Sequence, residues 1–228
     1  MEQFVIGIVD EDVEDIEDIE RTIIFNKPEA IAEEQIVFQK YDIPADTDSI
    51  ISTISDKITQ DIICNKIQSI IVDYKIISNM ECIEGTDIFR IINETAPKFP
   101  IIILTNLPQD CYAKEFVDAD KIYSKGQFFK VGEAYSKEKT LNIFKNMENY
   151  SSLRAKLSTK LNSCLSTLET QGYSQETLGE IIETEKLLDS YYPQQQSTIE
   201  KELNVADLKS AVDLIKEVNS ILGDHNED

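Results

Sequence analysis

The chain has 228 residues, and its 43 Asp and Glu outnumber its 22 Lys and Arg, which gives a formal net charge of −21 at pH 7. Such an acidic chain lacks the basic surface that a phosphate backbone requires, so we expect no nucleic acid and no anionic membrane as a partner. The one histidine, His225, excludes Ser-His-Asp and Cys-His chemistry and nearly all zinc sites.

The N-terminal sequence has no basic segment before its first apolar stretch, so we expect no secretory signal. Apolar runs such as 100–104 are far shorter than the roughly 20 residues that cross a bilayer. The four cysteines are widely separated and form no C-x-x-C pair. We therefore predict a cytoplasmic protein with reduced thiols.

A change in composition predicts two domains, 1–150 and 151–228. The first segment holds 29 Ile and 3 Leu, and the second holds 5 Ile and 12 Leu. Because β-branched side chains favour strands and Leu favours helices, we expect a sheet in the first domain and only helices in the second.

Five short apolar runs predict parallel strands that are covered on both faces. They span residues 4–9, 36–39, 69–73, 100–105 and 121–124. Helical patterns lie between them at 13–24, at 50–58 after a cap at Asp46, Thr47 or Asp48, at 87–93 and at 109–116. This alternation predicts a doubly wound α/β sheet with right-handed crossovers.

The last part of the chain carries three helical patterns. A stripe of apolar residues extends from near Ser136 to Gly172, which we predict as a C-cap. Further helices are predicted at 178–188 and 205–222. Such helices are typical of a small bundle, a dimerisation element or a partner-binding extension.

Polar side chains follow the predicted strands where each strand ends. The acidic run 10–12 follows the first strand, Asp73 ends the third, Thr105 ends the fourth and Lys125 follows the fifth. The carboxyl ends of parallel strands meet at one edge of a sheet, so we expect these groups to converge.

Such a set of groups suits phosphoryl transfer to a carboxylate. Clustered carboxylates repel one another unless a cation lies among them, and Mg²⁺ prefers oxygen ligands. We predict Asp73 as the nucleophile, Thr105 as a hydrogen-bond donor to one phosphoryl oxygen and Lys125 as the partner of another.

Four segments together resemble the receiver domain of bacterial two-component response regulators over residues 3–150. They are Ile-Gly-Ile-Val-Asp-Glu at 6–11, Ile-Ile-Val-Asp at 70–73, Pro-Ile-Ile-Ile-Leu-Thr at 100–105 and Ala-Asp-Lys-Ile-Tyr-Ser-Lys at 119–125. The resemblance implies a flavodoxin-like fold with a five-stranded parallel sheet of order 2-1-3-4-5. It also implies Mg²⁺ ligands at Glu11, Asp73, the backbone carbonyl of Lys75 and, through water, Asp10, with Asp12 as an alternative.

The chain departs from that family's pattern at five places. Glu11 replaces the usual second Asp, and the loop 74–84 is longer than usual and lacks proline. Gly126 stands where a cis-proline is usual, Ile122 where an aromatic switch residue is usual, and Asn106 where a small residue is usual. We expect phosphorylation chemistry to be retained.

These features favour a phospho-accepting receiver with no enzymatic activity beyond its own phosphorylation and dephosphorylation. The resemblance implies a histidine kinase or a phosphotransfer protein as donor. The output would be contact with an effector protein, or phosphate buffering as in some signalling and phage-defence operons, and we expect a homodimer through the C-terminal helices. The alternative is a pseudo-receiver that serves as a binding scaffold. A carboxylate-nucleophile hydrolase is disfavoured because Lys75 occupies the position of its second Asp.

Overall fold

The computed structural model describes residues 3–44, 49–78, 82–114, 117–172 and 174–191. The described chain divides into two compact units. The first extends to Ala155 and includes 189–191, and the second contains 156–188.

The first unit is built on a sheet of five parallel strands. The seven strands of the described chain are β1 (Phe4–Val9), β2 (Ile36–Lys40), β3 (Ser69–Asp73), β4 (Lys75–Ile77), β5 (Cys82–Glu84), β6 (Ile101–Thr105) and β7 (Ile122–Ser124). The five-stranded sheet has the order β2-β1-β3-β6-β7. This is the predicted 2-1-3-4-5 order of the five sheet strands, so the predicted sheet is confirmed.

Helices alternate with these strands. They are α1 (Val13–Asn26), α2 (Ile50–Ile63), α3 (Gly85–Thr95), α4 (Pro108–Tyr112), α5 (Lys125–Phe128), α6 (Ala134–Gln171) and α7 (Gln175–Asp189). The predicted cap of α2 was wrong, because Ser49 is the N-cap and its Oγ accepts a hydrogen bond from the Ser52 amide at 3.4 Å. The structure gives α4 only as far as Tyr112, short of the predicted end at 116, and residues 115 and 116 lie outside the described chain.

Two apolar layers cover the sheet, one on each face. Ile6, Ile8 and Ile71 belong to the layer that includes residues of α1 and α6. Ile70 and Val72, which point to the opposite face, belong to the layer that includes residues of α2 and α3. Every residue of β3 and β6 is buried, which explains why apolar residues occupy adjacent positions in the middle of both strands.

A small hairpin separates β3 from α3. β4 and β5 pair antiparallel, with Ile76 opposite Ile83. Sequence reasoning treated 74–84 only as a long loop, because strands of three residues are too short to show a period of two. Gly85 directly follows the hairpin, and a Cβ atom there would lie 1.9 Å from the Asp73 carbonyl oxygen, so this close approach requires glycine.

The C-terminal region is helical as far as it is described. Gly172 follows α6 with φ +78°, and its amide donates to the Leu168 carbonyl at 3.1 Å, which confirms the predicted C-cap. α7 confirms the second predicted helix, and the third, at 205–222, lies outside the described residues. Among the described helices, none combines the length and apolar character that a bilayer span needs.

Candidate functional site

The predicted site residues lie at the carboxyl edge of the five-stranded sheet. The strand registers pair Val9 with Val72, and Asp73 with Leu104, so neighbouring strands end at the same level. Asp10 directly follows β1, Thr105 ends β6, and Lys125 directly follows β7. The predicted convergence of these side chains is therefore what the structure describes.

Lys125 holds three carboxylates together at this edge. Its Nζ lies 2.9 Å from Asp10 Oδ2, 2.6 Å from Asp73 Oδ1 and 2.6 Å from Asp15 Oδ2. Its side chain is only 6% exposed. An ammonium group has three N–H donors, so these three carboxylates use its whole donor capacity.

The second oxygens of the two buried aspartates accept backbone hydrogen bonds. Asp10 Oδ1 accepts from the Asp12 amide at 2.9 Å, and Asp73 Oδ2 accepts from the Lys75 amide at 2.8 Å. Both carboxylates are thereby fixed in orientation by the turns that follow their strands. Carboxylate oxygens that are held in fixed positions can bind a ligand without first having to reorient.

Burial and ion pairing shift the pKa of Asp10, Asp73 and Lys125. Burial raises the pKa of Asp10 to about 6, against the opposing effects of the Asp12 amide and Lys125. Burial likewise raises the pKa of Asp73, although Lys125 acts against it. For Lys125, burial alone would lower the pKa, but hydrogen bonds to Asp15 and Asp73 together with the negative charges of Asp73 and Asp10 leave the pKa raised. The lysine is therefore charged, and the carboxylates carry an excess of negative charge that favours a cation.

Glu11 adds a fourth carboxylate, on the solvent side. One oxygen each from Asp10, Glu11 and Asp73 lies within 4.8 Å of the others, a spacing that fits a single cation with oxygen ligands. Asp12, the alternative ligand, instead caps α1, since its Oδ1 accepts from the Glu14 amide at 2.9 Å. The backbone amide of Lys75 donates a hydrogen bond to Asp73. The role of the Lys75 carbonyl as a Mg²⁺ ligand stays a prediction.

Thr105 is buried beside this cluster. Its Oγ1 accepts a hydrogen bond from the Leu107 amide at 2.9 Å. The Thr105 side chain also forms a hydrogen bond with the thiol of Cys111. Burial raises the pKa of this thiol to about 11. The hydroxyl lines the same cavity as Asp73 and Lys125, so it is placed where a predicted phosphoryl ligand would lie.

This site cavity has a volume of about 220 Å³, enough for a phosphoryl-sized group and water. It is lined by Asp10, Glu11, Asp12, Asp15, Asp73, Tyr74, Lys75, Thr105, Asn106, Leu107 and Lys125. Five of its lining residues are acidic and two are lysines, the buried Lys125 and the exposed Lys75. The cavity therefore suits an anion only together with a cation.

Sequence reasoning missed Asp15, which lies in the acidic first turn of the helix predicted at 13–24. The available signal was its position, because Asp15 is the third residue after the N-cap Asp12. Side chains of the first helical turn point back toward the N-terminus and hence toward the carboxyl edge.

The resembled family usually has an aromatic switch residue at the position of Ile122. Ile122 is buried at 3% exposure among the residues packed with α2 and α3, and the adjacent Tyr123 packs on the opposite face against Phe128. An aliphatic side chain locked in the core offers no aromatic ring to swing between two positions.

No protein-family model matches the chain, and no curated protein or solved structure matches it either. What the chain does is therefore inferred from the chemistry of the site.

Proposed function

We propose that this protein is a phospho-accepting receiver with a flavodoxin-like fold, which takes a phosphoryl group on Asp73. One observation carries the proposal: a buried lysine joins two carboxylates at the carboxyl edge of the sheet, beside a buried threonine hydroxyl. A solvated lysine or a capping aspartate would not need such burial. The pattern matches the division of roles in acyl-phosphate formation.

The reaction assigns one role to each group. With a phosphohistidine as donor, a carboxylate oxygen of Asp73 attacks the phosphorus atom. The new O–P bond forms as the N–P bond of the phosphohistidine breaks, and the departing imidazole takes up a proton. Lys125 and Thr105 stabilise the charge on the transferred phosphoryl oxygens by hydrogen bonds. Of the carboxylate oxygens, Asp73 Oδ1 is the one that faces Lys125, and Oδ2 is held by the Lys75 amide.

Asp10, Glu11 and Asp73 would hold Mg²⁺, because their oxygens lie close enough to share one ion. When bound, this ion neutralises charge between the carboxylates and the incoming phosphoryl group. The lysine alone leaves the cluster negative, and an anion approaching it would be repelled. Glu11, which is exposed, can turn toward an ion without breaking a buried contact.

A phosphohistidine donor would belong to another protein. The one histidine, His225, lies in the acidic C-terminal segment outside the described residues. A histidine kinase or a phosphotransfer protein is the class of donor that fits an aspartate acceptor. The output is contact with an effector protein, or storage of phosphate when no effector is engaged.

Intact-mass measurement after incubation with Mg²⁺ and acetyl phosphate tests this proposal. We expect the wild-type chain to gain the mass of one phosphoryl group, and Asp73→Asn to gain none. Asp42→Asn, a change of the same kind at an exposed site, is the matched control and should still gain it. Beryllofluoride, which mimics the phosphoryl group, should bind the wild type and fail with Asp73→Asn.

A binding scaffold without phosphorylation is the second candidate. All three Lys125 donors are already used by carboxylates, and Val13 and Ile77 are exposed apolar side chains beside the site. If neither reagent gives an adduct while a partner protein still binds, the scaffold replaces the receiver. An adduct that forms and depends on Asp73 excludes the scaffold as the sole function.

A further inference from the structure

We infer that Asp15 is a positioning residue for Lys125, which keeps this lysine in the site when a cation takes over the other two carboxylates. This inference rests on the proposed function, because it describes how the same site is loaded. Asp15 lies in the first turn of α1, one turn away from the residues that the resemblance assigns.

The need for such a residue follows from the contacts of Lys125. Two of its three partners, Asp10 and Asp73, also belong to the trio that can share a cation. A cation bound by Asp10 and Asp73 would weaken the hold of these two carboxylates on the ammonium group, because two positive charges close to the same carboxylates repel each other. A buried lysine without any partner is costly and would leave the site.

Asp15 provides the partner that this exchange leaves in place. Its Oδ2 lies 2.6 Å from Nζ, it is not one of the trio, and its side chain is 28% exposed against 2% for Asp10. With Asp15 still bound, two of the three Lys125 N–H groups are released toward the phosphoryl oxygens. The lysine thus changes partners without changing place.

Asp15→Asn and Glu14→Gln form a matched pair for the test. Each removes one negative charge from the first turn of α1 while nearly preserving side-chain size, and the Glu14 side chain is exposed. Of the described residues, Asp10, Asp15 and Asp73 form the ion pairs of Lys125, so Glu14→Gln leaves all of them unchanged.

We expect Asp15→Asn to weaken Mg²⁺ binding, measured by calorimetry, roughly fivefold, and Glu14→Gln to weaken it less than about twofold. In a Lys125→Met background, the extra effect of Asp15→Asn over Glu14→Gln should vanish, because the residue acts through the lysine. Equal affinities for Asp15→Asn and Glu14→Gln, or an extra effect that persists without Lys125, would overturn the inference.

Lysine labelling gives a readout that a purely structural role would not move. An amine-acylating reagent followed by peptide mass mapping should find Lys125 protected in the wild type both with and without Mg²⁺. In Asp15→Asn, adding Mg²⁺ should increase the labelling of Lys125 several-fold, because no carboxylate then retains it. Labelling that is unaffected by Mg²⁺ in Asp15→Asn contradicts the inference.

The outcomes separate this inference from the proposed function. An Asp73 adduct in the wild type, together with Asp15→Asn behaving as Glu14→Gln, removes the role of Asp15 and leaves the receiver. Absence of an adduct, together with weakened Mg²⁺ binding and exposed Lys125 in Asp15→Asn, removes the receiver and leaves a cation site controlled by Asp15. A wild type that binds no Mg²⁺ overturns the inference.

Discussion

Asp10 is a buried carboxyl whose protonation is linked to the stability of the fold. Burial raises its pKa from an ordinary 3.8 to about 6, so the folded chain holds this proton more tightly than the unfolded chain does. The stabilisation is complete below about pH 4 and is lost as the pH rises through about 6. Asp73, whose pKa burial also raises, contributes with the same sign.

We therefore expect the free energy of unfolding, measured without divalent cations, to fall by roughly 1–3 kcal/mol between pH 4 and 7. Asp10→Asn should reduce this fall, because the amide does not titrate. Urea denaturation followed by circular dichroism at pH 4, 5, 6 and 7, in the presence of a chelator, measures it. Asp42→Asn, at an exposed site, is the control, and a pH dependence of Asp10→Asn that parallels the wild type would contradict the assignment.

The site residues were predictable in part from the sequence. Asp10, Asp73, Thr105 and Lys125 could be found because each terminates or follows an apolar run, and the ends of parallel strands must meet at one edge. Asp15 could not be found in this way. An acidic residue in a first helical turn has the same pattern whether it faces water or a buried lysine, since the helix dipole favours it in both cases.

The β4–β5 hairpin is the element in which this chain differs most from its predicted architecture. Its last residue, Glu84, accepts hydrogen bonds from Tyr74 and Thr86 and pairs with Lys114 at 2.5 Å. The hydrogen bond from Lys114 holds the pKa of Glu84 below its ordinary value. The base of the hairpin is thus fixed both to the residue that follows Asp73 and to the segment that follows α4.

Ile76→Ala and Ile77→Ala test whether the hairpin is a packed part of the fold. Ile76 is fully buried and Ile77 is 63% exposed, although they are neighbours in β4 and the chemical change is the same. We expect Ile76→Ala to lower the free energy of unfolding by about 2–5 kcal/mol, and Ile77→Ala to change it by at most about 0.5 kcal/mol. Urea denaturation of both variants measures this, and equal small losses would show that the hairpin contributes nothing to the core.

The hairpin also marks a limit of reading elements from the sequence. Strands β1, β3 and β6 were located to within one residue because each contains a run of apolar residues that stops at a polar residue near the end of the strand. β4 and β5 place only Ile76 and Ile83 in the core, and no pattern of two residues specifies a strand. Their pairing is decided by the packing against α3 and β3, which the local sequence does not encode.

The change from Ile to Leu between residues 1–150 and 151–228 reflects a difference in how the two segments bury their apolar residues. The sheet unit contains buried Ile on both faces of its strands, where flat β-branched side chains pack well. The helical unit exposes part of its leucines, with Leu165 at 40% exposure. A homodimer through these helices stays a prediction, and it requires the exposed leucines to form one continuous apolar surface.

Leu157→Asp tests this expected homodimer. Leu157 is half-buried in α6, and an aspartate there would place a charge within an apolar helix–helix contact, which is far costlier than in water. We expect light scattering to give the mass of two chains for the wild type and of one chain for Leu157→Asp, with unchanged helix content. Ser152→Asp, which adds the same charge at an exposed position earlier in α6, should remain a dimer. If Leu157→Asp has the same mass as the wild type, whether one chain or two, the leucines of α6 serve the fold of a single chain and not its association.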